Sequence, residues 1–182
     1  MAKILFLSTN LPTNQGYLRV DKEYRIIEEK LRSAIYRDRL ALVSVPASRP
    51  KDWLDKLNQH SPNIVHFSGH GSPGRKLFQL GEDDDAQLIS LQALKTVCHS
   101  VKDTVRLLVL NACYSRQEAE PLTEEVDCVI AMKGKIHDTA ALAFTEAFYQ
   151  ALGYGLSVQD TFTQARAAIQ LEMLDKDTDV PE

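Results

Sequence analysis

The feature that most constrains the fold of this 182-residue chain is a set of five short apolar runs. Each run is four to six residues long and mostly apolar on consecutive positions, which is typical of strands buried on both faces of a sheet. The runs occupy residues 4–7, 40–45, 64–67, 105–110 and 128–132.

Segments with helical spacing lie between the runs. Tyr24, Ile27, Leu31 and Ile35 share one helix face, and a second set begins at Leu88 and continues through Leu91, Leu94 and Val97. Alternating strands and helices predict a mainly parallel sheet covered on both faces, that is, an α/β chain with an α/β/α three-layer sandwich. The length is that of one domain.

The last third of the chain is predicted to be helical. Small and aromatic residues give one apolar face over residues 140–151, and Asp138 is placed to cap the start of this helix. A final helix begins at about Ser157, which with Asp160 resembles a capping box, and extends to Met173. The polar tail at 175–182 follows a predicted domain over residues 1–174.

Composition excludes several classes of protein. The chain has 21 basic and 25 acidic residues, a net charge of −4, so nothing predicts nucleic acid as a direct partner. Three cysteines spaced 15 apart fit neither a disulfide framework nor a zinc knuckle, which favours a reducing, cytoplasmic location. No run approaches the roughly 18 apolar residues of a membrane span, so no membrane partner is expected.

Two further motif classes find little support. The acidic run at residues 82–85 is interpreted as a solvated hairpin turn, with a calcium loop as the alternative, although EF-hand spacing is absent. No glycine-rich phosphate-binding pattern follows the first run, which argues against a nucleotide-binding domain. His66 and His70 lack the companions of a metal site, so no metal is predicted.

Chemistry is expected where loops leave the carboxyl ends of parallel strands. The third run leads into a glycine-rich segment containing His70, and the fourth leads into Cys113, 43 residues later. An imidazole can take the proton of a cysteine nucleophile or lower its pKa. The amides of Gly71 and Cys113 are candidates for an oxyanion hole.

Each of these residues also has a structural interpretation. A cysteine at the end of a buried strand usually serves as a small apolar side chain, and Cys98 and Cys128 are interpreted in that way. His66 lies within a run and is predicted to be a hydrogen-bonded core residue. The joint placement of His70 and Cys113 in small-residue loops at two strand ends favours the catalytic interpretation for that pair.

At these residues the chain resembles the CHAT domain, a prokaryotic branch of the caspase-like cysteine peptidases. The ordered set of matching segments extends over nearly the whole sequence and is more specific than a lone His-Gly pair. The segments are residues 4–8, 18–24, 65–71, 110–115, 136–141, 148–149 and 152–155.

The resemblance implies a caspase-like fold and a cysteine endopeptidase in which His70 is the catalytic histidine and Cys113 the nucleophile. Such an enzyme needs no cofactor. Related metacaspases have an acid two residues before the nucleophile that binds a basic P1 side chain, whereas this chain has Asn111, which argues against a strict Arg or Lys preference. Asn111, Ser115 and Asp138 are the predicted substrate-binding residues, and Asp127 is a further candidate pocket acid.

Family members usually carry this domain behind regulatory modules. The resemblance therefore implies a protein substrate, a regulatory or sensor protein as a partner, and a role in bacterial defence or cell death. The sequence leaves open whether the domain acts alone or belongs to a longer protein. The alternative to a protease is a catalytically latent caspase-like module that recruits a partner protein.

Overall fold

The computed structural model describes residues 1–10, 18–72, 76–80 and 86–172. Strands and helices alternate through most of this part of the chain. The strands are β1 (Ala2–Ser8), β2 (Leu40–Val45), β3 (Ile64–Ser68), β4 (Gly71–Ser72), β5 (Lys76–Leu80), β6 (Ala86–Ile89), β7 (Leu107–Asn111) and β8 (Cys128–Ala131). The helices are α1 (Val20–Ser33), α2 (Pro50–His60), α3 (Leu91–Ser100), α4 (Arg116–Leu122), α5 (Asp138–Gly153) and α6 (Val158–Leu171).

A five-stranded sheet forms the centre of the molecule, in the order β2-β1-β3-β7-β8. All of its strand pairs are parallel, which confirms the predicted fold class. The chain adds β2 on one side of β1 and the later strands on the other side. A small antiparallel sheet, β4-β5-β6, is inserted between β3 and β7.

Alternate residues of the central strands enter different cores. Leu5 and Leu7 pack in the core that α2, α3 and α4 cover, while Ile4 and Phe6 pack in the core that α1, α5 and α6 cover. Both faces of the sheet are therefore buried, which accounts for the continuous apolar runs in the sequence.

Several predicted boundaries are wrong in detail. The fourth strand begins at Leu107 rather than Val105, and Leu88 belongs to β6 because Ser90 caps α3 through its side chain. Helix α1 ends at Ser33, which leaves Ile35 outside it and exposed.

The caps of the last two helices differ in their agreement with the sequence prediction. Asp138 is the first residue of α5 and not its cap, since His137 occupies the N-cap position without a side-chain hydrogen bond. The prediction for Ser157 is confirmed, because its hydroxyl accepts a hydrogen bond from the amide of Asp160.

The acidic run at 82–85, Met173 and the tail lie outside the described residues. In the described part of the chain, no helix has both the length and the apolar character to cross a membrane.

The end of α5 packs tightly against the end of α1. A Cβ atom at Gly153 would lie 2.5 Å from the Cβ of Ala34, which is fully buried. The amide of Tyr36 also donates to the carbonyl of Gly153, at 3.1 Å. Helices α1 and α5 both contribute to the site described below, so this contact helps to fix their relative position.

We expect Gly153→Ala to lower the free energy of unfolding by about 1–3 kcal/mol, because the added methyl group overpacks this contact. Urea denaturation measures the change. The double variant Gly153→Ala with Ala34→Gly should regain most of the loss, since it removes the opposing methyl group. Equal stability of the single variant and the wild type would contradict the proposed close contact.

Candidate active site

The carboxyl ends of β3 and β7 meet at one edge of the sheet. The two strands are neighbours, and Ser68 is paired with Asn111 at the last position of their register. His70 follows β3 by two residues and Cys113 follows β7 by two residues. The structure thus brings the two predicted catalytic residues to the same edge.

The loop after β3 lies directly against the loop after β7. The amide of Gly69 donates to the carbonyl of Asn111 at 3.3 Å. A Cβ atom at Gly71 would lie only 2.1 Å from the carbonyl oxygen of Cys113, and at Gly69 it would meet Phe67 at 2.7 Å. The absence of a side chain at Gly71 permits this backbone approach, and its absence at Gly69 leaves room for the neighbouring Phe67 ring.

A tight turn presents Cys113 at the surface. Tyr114 has a positive φ of 60°, a conformation that few non-glycine residues adopt, and its amide donates to the carbonyl of Gly134 at 3.0 Å. The Cys113 side chain is partly exposed, and its Sγ is 3.9 Å from the carbonyl oxygen of Ile136.

Ser115 stabilises this turn through its side-chain hydroxyl. Its hydroxyl is fully buried, donates to the carbonyl of Leu110 at 2.9 Å and accepts from the amide of Met132 at 2.9 Å. Ser115 is not among the described residues that line the cleft beside Cys113. These two hydrogen bonds connect the loop that carries Cys113 to the segment after β8. The sequence, in contrast, predicts a substrate-binding role for Ser115.

A buried carboxylate, Glu23 on α1, connects the two loops beneath the site. Its side chain accepts hydrogen bonds from Ser68 Oγ at 2.5 Å, Asn111 Nδ2 at 2.6 Å and Thr145 Oγ1 at 2.8 Å. Ser68 and Asn111 stand two residues before His70 and Cys113, respectively. One carboxylate thus binds equivalent positions on both loops.

His66 completes this network from the core. Its Nε2 lies 3.1 Å from Oε1 of Glu23, and its Nδ1 lies 2.8 Å from the hydroxyl of Tyr149. His66 is 1% exposed and has the predicted buried position within β3. Burial, and to a smaller extent the charge of Glu23, raise the pKa of Tyr149 well above its usual value.

The ionised form of Glu23 is favoured in spite of its burial. Burial raises the pKa of this carboxyl, but the hydrogen bond and charge of His66 and the hydroxyls of Ser68 and Thr145 together lower it below the usual value. Sequence reasoning did not single out Glu23. The available signal was its position four and eight residues before Ile27 and Leu31, on the stripe of α1 that the structure buries.

The isosteric variant Glu23→Gln should be less stable than the wild type by about 3–5 kcal/mol, because its amide NH₂ would face hydrogen-bond donors that no longer have an ionic acceptor. Urea denaturation monitored by circular dichroism measures this loss. The control is Glu29→Gln on the exposed face of α1, for which we expect a change within about 0.5 kcal/mol. Similar stabilities of the two variants would refute the role given to this carboxylate.

The lowered pKa of Glu23 predicts an acid-sensitive stability. Above the usual glutamate pKa of 4.5 the contribution of this group is fully present, and it is lost as the pH falls toward the lower pKa of the folded state. Denaturation midpoints measured from pH 7 to about pH 3.5 should fall more steeply for the wild type than for Glu23→Gln. Parallel curves for the two proteins would show that Glu23 is not the group responsible.

A narrow cleft of about 30 Å³ lies beside Cys113, between the starts of α1 and α5. Asn111 and Asp138, two of the predicted substrate-binding residues, line it together with Glu23. Asp138 forms an ion pair with Nε of Arg19. Asp127 stands at the amino end of β8 and pairs with Arg106, so it lies at the opposite edge of the sheet.

The other two cysteines differ from Cys113 in their surroundings. Burial raises the pKa of the Cys98 thiol to about 11, with Glu125 adding to the effect. Burial and the charge of Asp127 raise the pKa of Cys128. Within the described ranges, no group of three or more His, Cys, Asp or Glu side chains could hold a metal ion.

Solved structures with this arrangement of strands are caspase-like. A secreted C11 cysteine protease from Bacteroides thetaiotaomicron has a TM-score of 0.69 and 11% sequence identity, covering 94% of this chain and 59% of that one. Caspase-1 from Spodoptera frugiperda has a TM-score of 0.64 and 11% identity, covering 100% of this chain and 86% of that one. The fold is therefore the caspase-like three-layer α/β/α sandwich.

The sequence itself defines the family. The model of the CHAT domain matches residues 18–180, and the chain belongs to this family. A "Probable protease" of Gillisia limnaea is 27% identical over 172 residues, which cover 92% of this chain and 30% of the relative. A "Roc-COR-CHAT protease" from an unknown prokaryotic organism is 25% identical over 175 residues, which cover 92% of this chain and 16% of the relative. The chain thus spans less than a third of each relative.

Proposed function

We propose that this chain is a cysteine endopeptidase domain, extending over residues 1–174, in which Cys113 is the nucleophile and His70 its general base. The observation that carries the proposal is the contact of the two loops, where Gly71 lies against the backbone of Cys113. Membership of the CHAT family and the names of the two protease relatives support the same reaction class.

The reaction proceeds through an acyl-enzyme. His70 takes the proton of Cys113, and the thiolate attacks the carbonyl carbon of the scissile peptide bond. The amides of Gly71 and Cys113 stabilise the charge that develops on the carbonyl oxygen. His70 then protonates the leaving amine, the C–N bond breaks, and a water activated by His70 hydrolyses the thioester and regenerates the thiol.

The substrate is a protein, and cleavage is expected to be regulated. The two curated relatives are much longer than this chain, and the name of one joins its CHAT segment to Roc and COR segments. A regulatory or sensor protein is the corresponding partner of this domain, in a bacterial defence or cell-death pathway of the cytoplasm. The thiol and imidazole require no cofactor for this chemistry.

Iodoacetamide labelling tests the proposed pair. At pH 7 Cys113 should react at least about tenfold faster than Cys98 or Cys128, because those two thiols have raised pKa values and little thiolate. Mass spectrometry of the labelled peptides gives the three rates in one sample. His70→Ala should slow the labelling of Cys113 itself by about tenfold, because its thiol loses the proton acceptor, while His60→Ala, at the remote end of α2, should leave that rate unchanged.

Proteolysis provides the second readout. The wild type should cleave members of a mixed peptide library, identified by mass spectrometry, and Cys113→Ala should leave the library intact. A Cys113 that reacts no faster than Cys98 and Cys128, together with an uncut library, would contradict catalysis and favour the partner-recruiting module.

A further inference from the structure

The cleft beside Cys113 is mostly apolar. It lies within reach of a side chain whose backbone is bound at the proposed nucleophile, because Ala112 and Cys113 themselves form part of its wall. Its volume of about 30 Å³ gives room for a compact group rather than an extended one. The other apolar side chains of its wall come from α1, α5 and the segments before them: Leu18, Val20, Ile136, Ala141 and Leu142.

Two carboxylates face this cleft among the described residues, and both are already engaged by the protein. Glu23 is 3% exposed and accepts hydrogen bonds from Ser68, Asn111 and Thr145. The imidazole Nε2 of His66 also lies 3.1 Å from its Oε1. A substrate cation would have to displace these donors, leaving them buried without an acceptor.

Asn111 is engaged in the same way. Its Nδ2 donates to Glu23, so the amide that stands at the acidic position of metacaspases is turned toward the protein interior. An acidic substrate side chain would therefore lack this donor and would approach the Glu23 carboxylate.

Asp138 is the second carboxylate, and Arg19 neutralises it. The two side chains come from the starts of α5 and α1 and form an ion pair at the rim of the cleft, where they are 33% and 43% exposed. Arg19 thus occupies the position from which a basic substrate side chain would bind Asp138. An unpaired carboxylate at this rim would instead attract cations.

We propose that this cleft is the P1 subsite, that it takes an uncharged, compact apolar side chain, and that the Arg19–Asp138 pair is the element that excludes a basic one. The proposal rests on the proposed protease function, because it needs a substrate carbonyl bound at Cys113. It assigns Arg19 and Asp138 to specificity and not to the chemical step.

Peptidyl acyloxymethyl ketones test this assignment, since they alkylate a catalytic thiol only after their P1 side chain is bound. Four probes that differ only in P1, namely Ala, Leu, Arg and Asp, are applied to the wild-type protein. The second-order rate of modification at Cys113 is measured by mass spectrometry. The Ala or Leu probe should react fastest, and the Arg and Asp probes at least about tenfold more slowly.

Three variants separate the two charges. Arg19→Met frees Asp138, and the rate of the Arg probe relative to the Leu probe should rise about fivefold, the order of one partly exposed ion pair. Adding Asp138→Asn to this variant should cancel the gain. Arg32→Met removes an equal charge from the far end of α1, where Arg32 pairs with Glu28, and should leave the preference unchanged.

The outcomes distinguish failure of the proposed P1 subsite from failure of the proposed protease function. Fastest modification by the Arg or Asp probe, or equal rates for all four, would overturn the proposed subsite while confirming Cys113 as a reactive nucleophile. An unchanged preference in Arg19→Met would overturn the role of the ion pair. Failure of every probe to modify Cys113, with slow iodoacetamide labelling as well, would refute the protease function and the subsite with it.

Discussion

The interaction on which the site depends is the set of hydrogen bonds to the buried Glu23 carboxylate. An isolated charge in the interior would be expensive, so this one exists only because three donors and a histidine surround it. Since Ser68 and Asn111 belong to neighbouring strand ends, the carboxylate fixes the spacing of the two loops that follow. The buried Glu23 carboxylate thereby holds the two loops together where they reach the surface.

The parallel sheet explains why these loops meet at all. Strands β3 and β7 are separated in sequence by a small antiparallel sheet and a helix, yet their pairing in register brings Ser68 and Asn111 to the same level. Gly71, next to His70, then permits a contact with the backbone of Cys113 that any side chain would block. The parallel sheet brings the two loops to the same edge, and Gly71 lets their backbones come into contact.

Much of the fold could be predicted because strands that are buried on both faces of a sheet consist of consecutive apolar residues, a pattern that is visible in the sequence. Runs such as residues 4–7 are continuous in apolar character, and every run became a strand of the central sheet. Strand ends also located His70 and Cys113 at one edge. Sequence reasoning failed where a residue type has two uses, as at Asp138, whose carboxylate pairs with a distant arginine instead of capping its own helix.

The partners of Glu23 were beyond such reasoning for a related reason. Hydrogen bonds between residues 23, 68, 111 and 145 depend on three-dimensional neighbours that no local spacing encodes. Ser115 shows the same limit. Its position two residues after Cys113 predicts a substrate contact, whereas its buried hydroxyl forms hydrogen bonds with the backbone of Leu110 and Met132.

The wide spacing of these partners along the chain also has a consequence for biosynthesis. Proteins emerge from the ribosome from the amino terminus, at about 5–20 residues per second. Thr145, its last donor, is made 122 positions after Glu23. The hydrogen bonds around Glu23 therefore cannot all form until α5 has emerged from the ribosome, so the Cys113 thiol acquires its final surroundings only after that helix has been made.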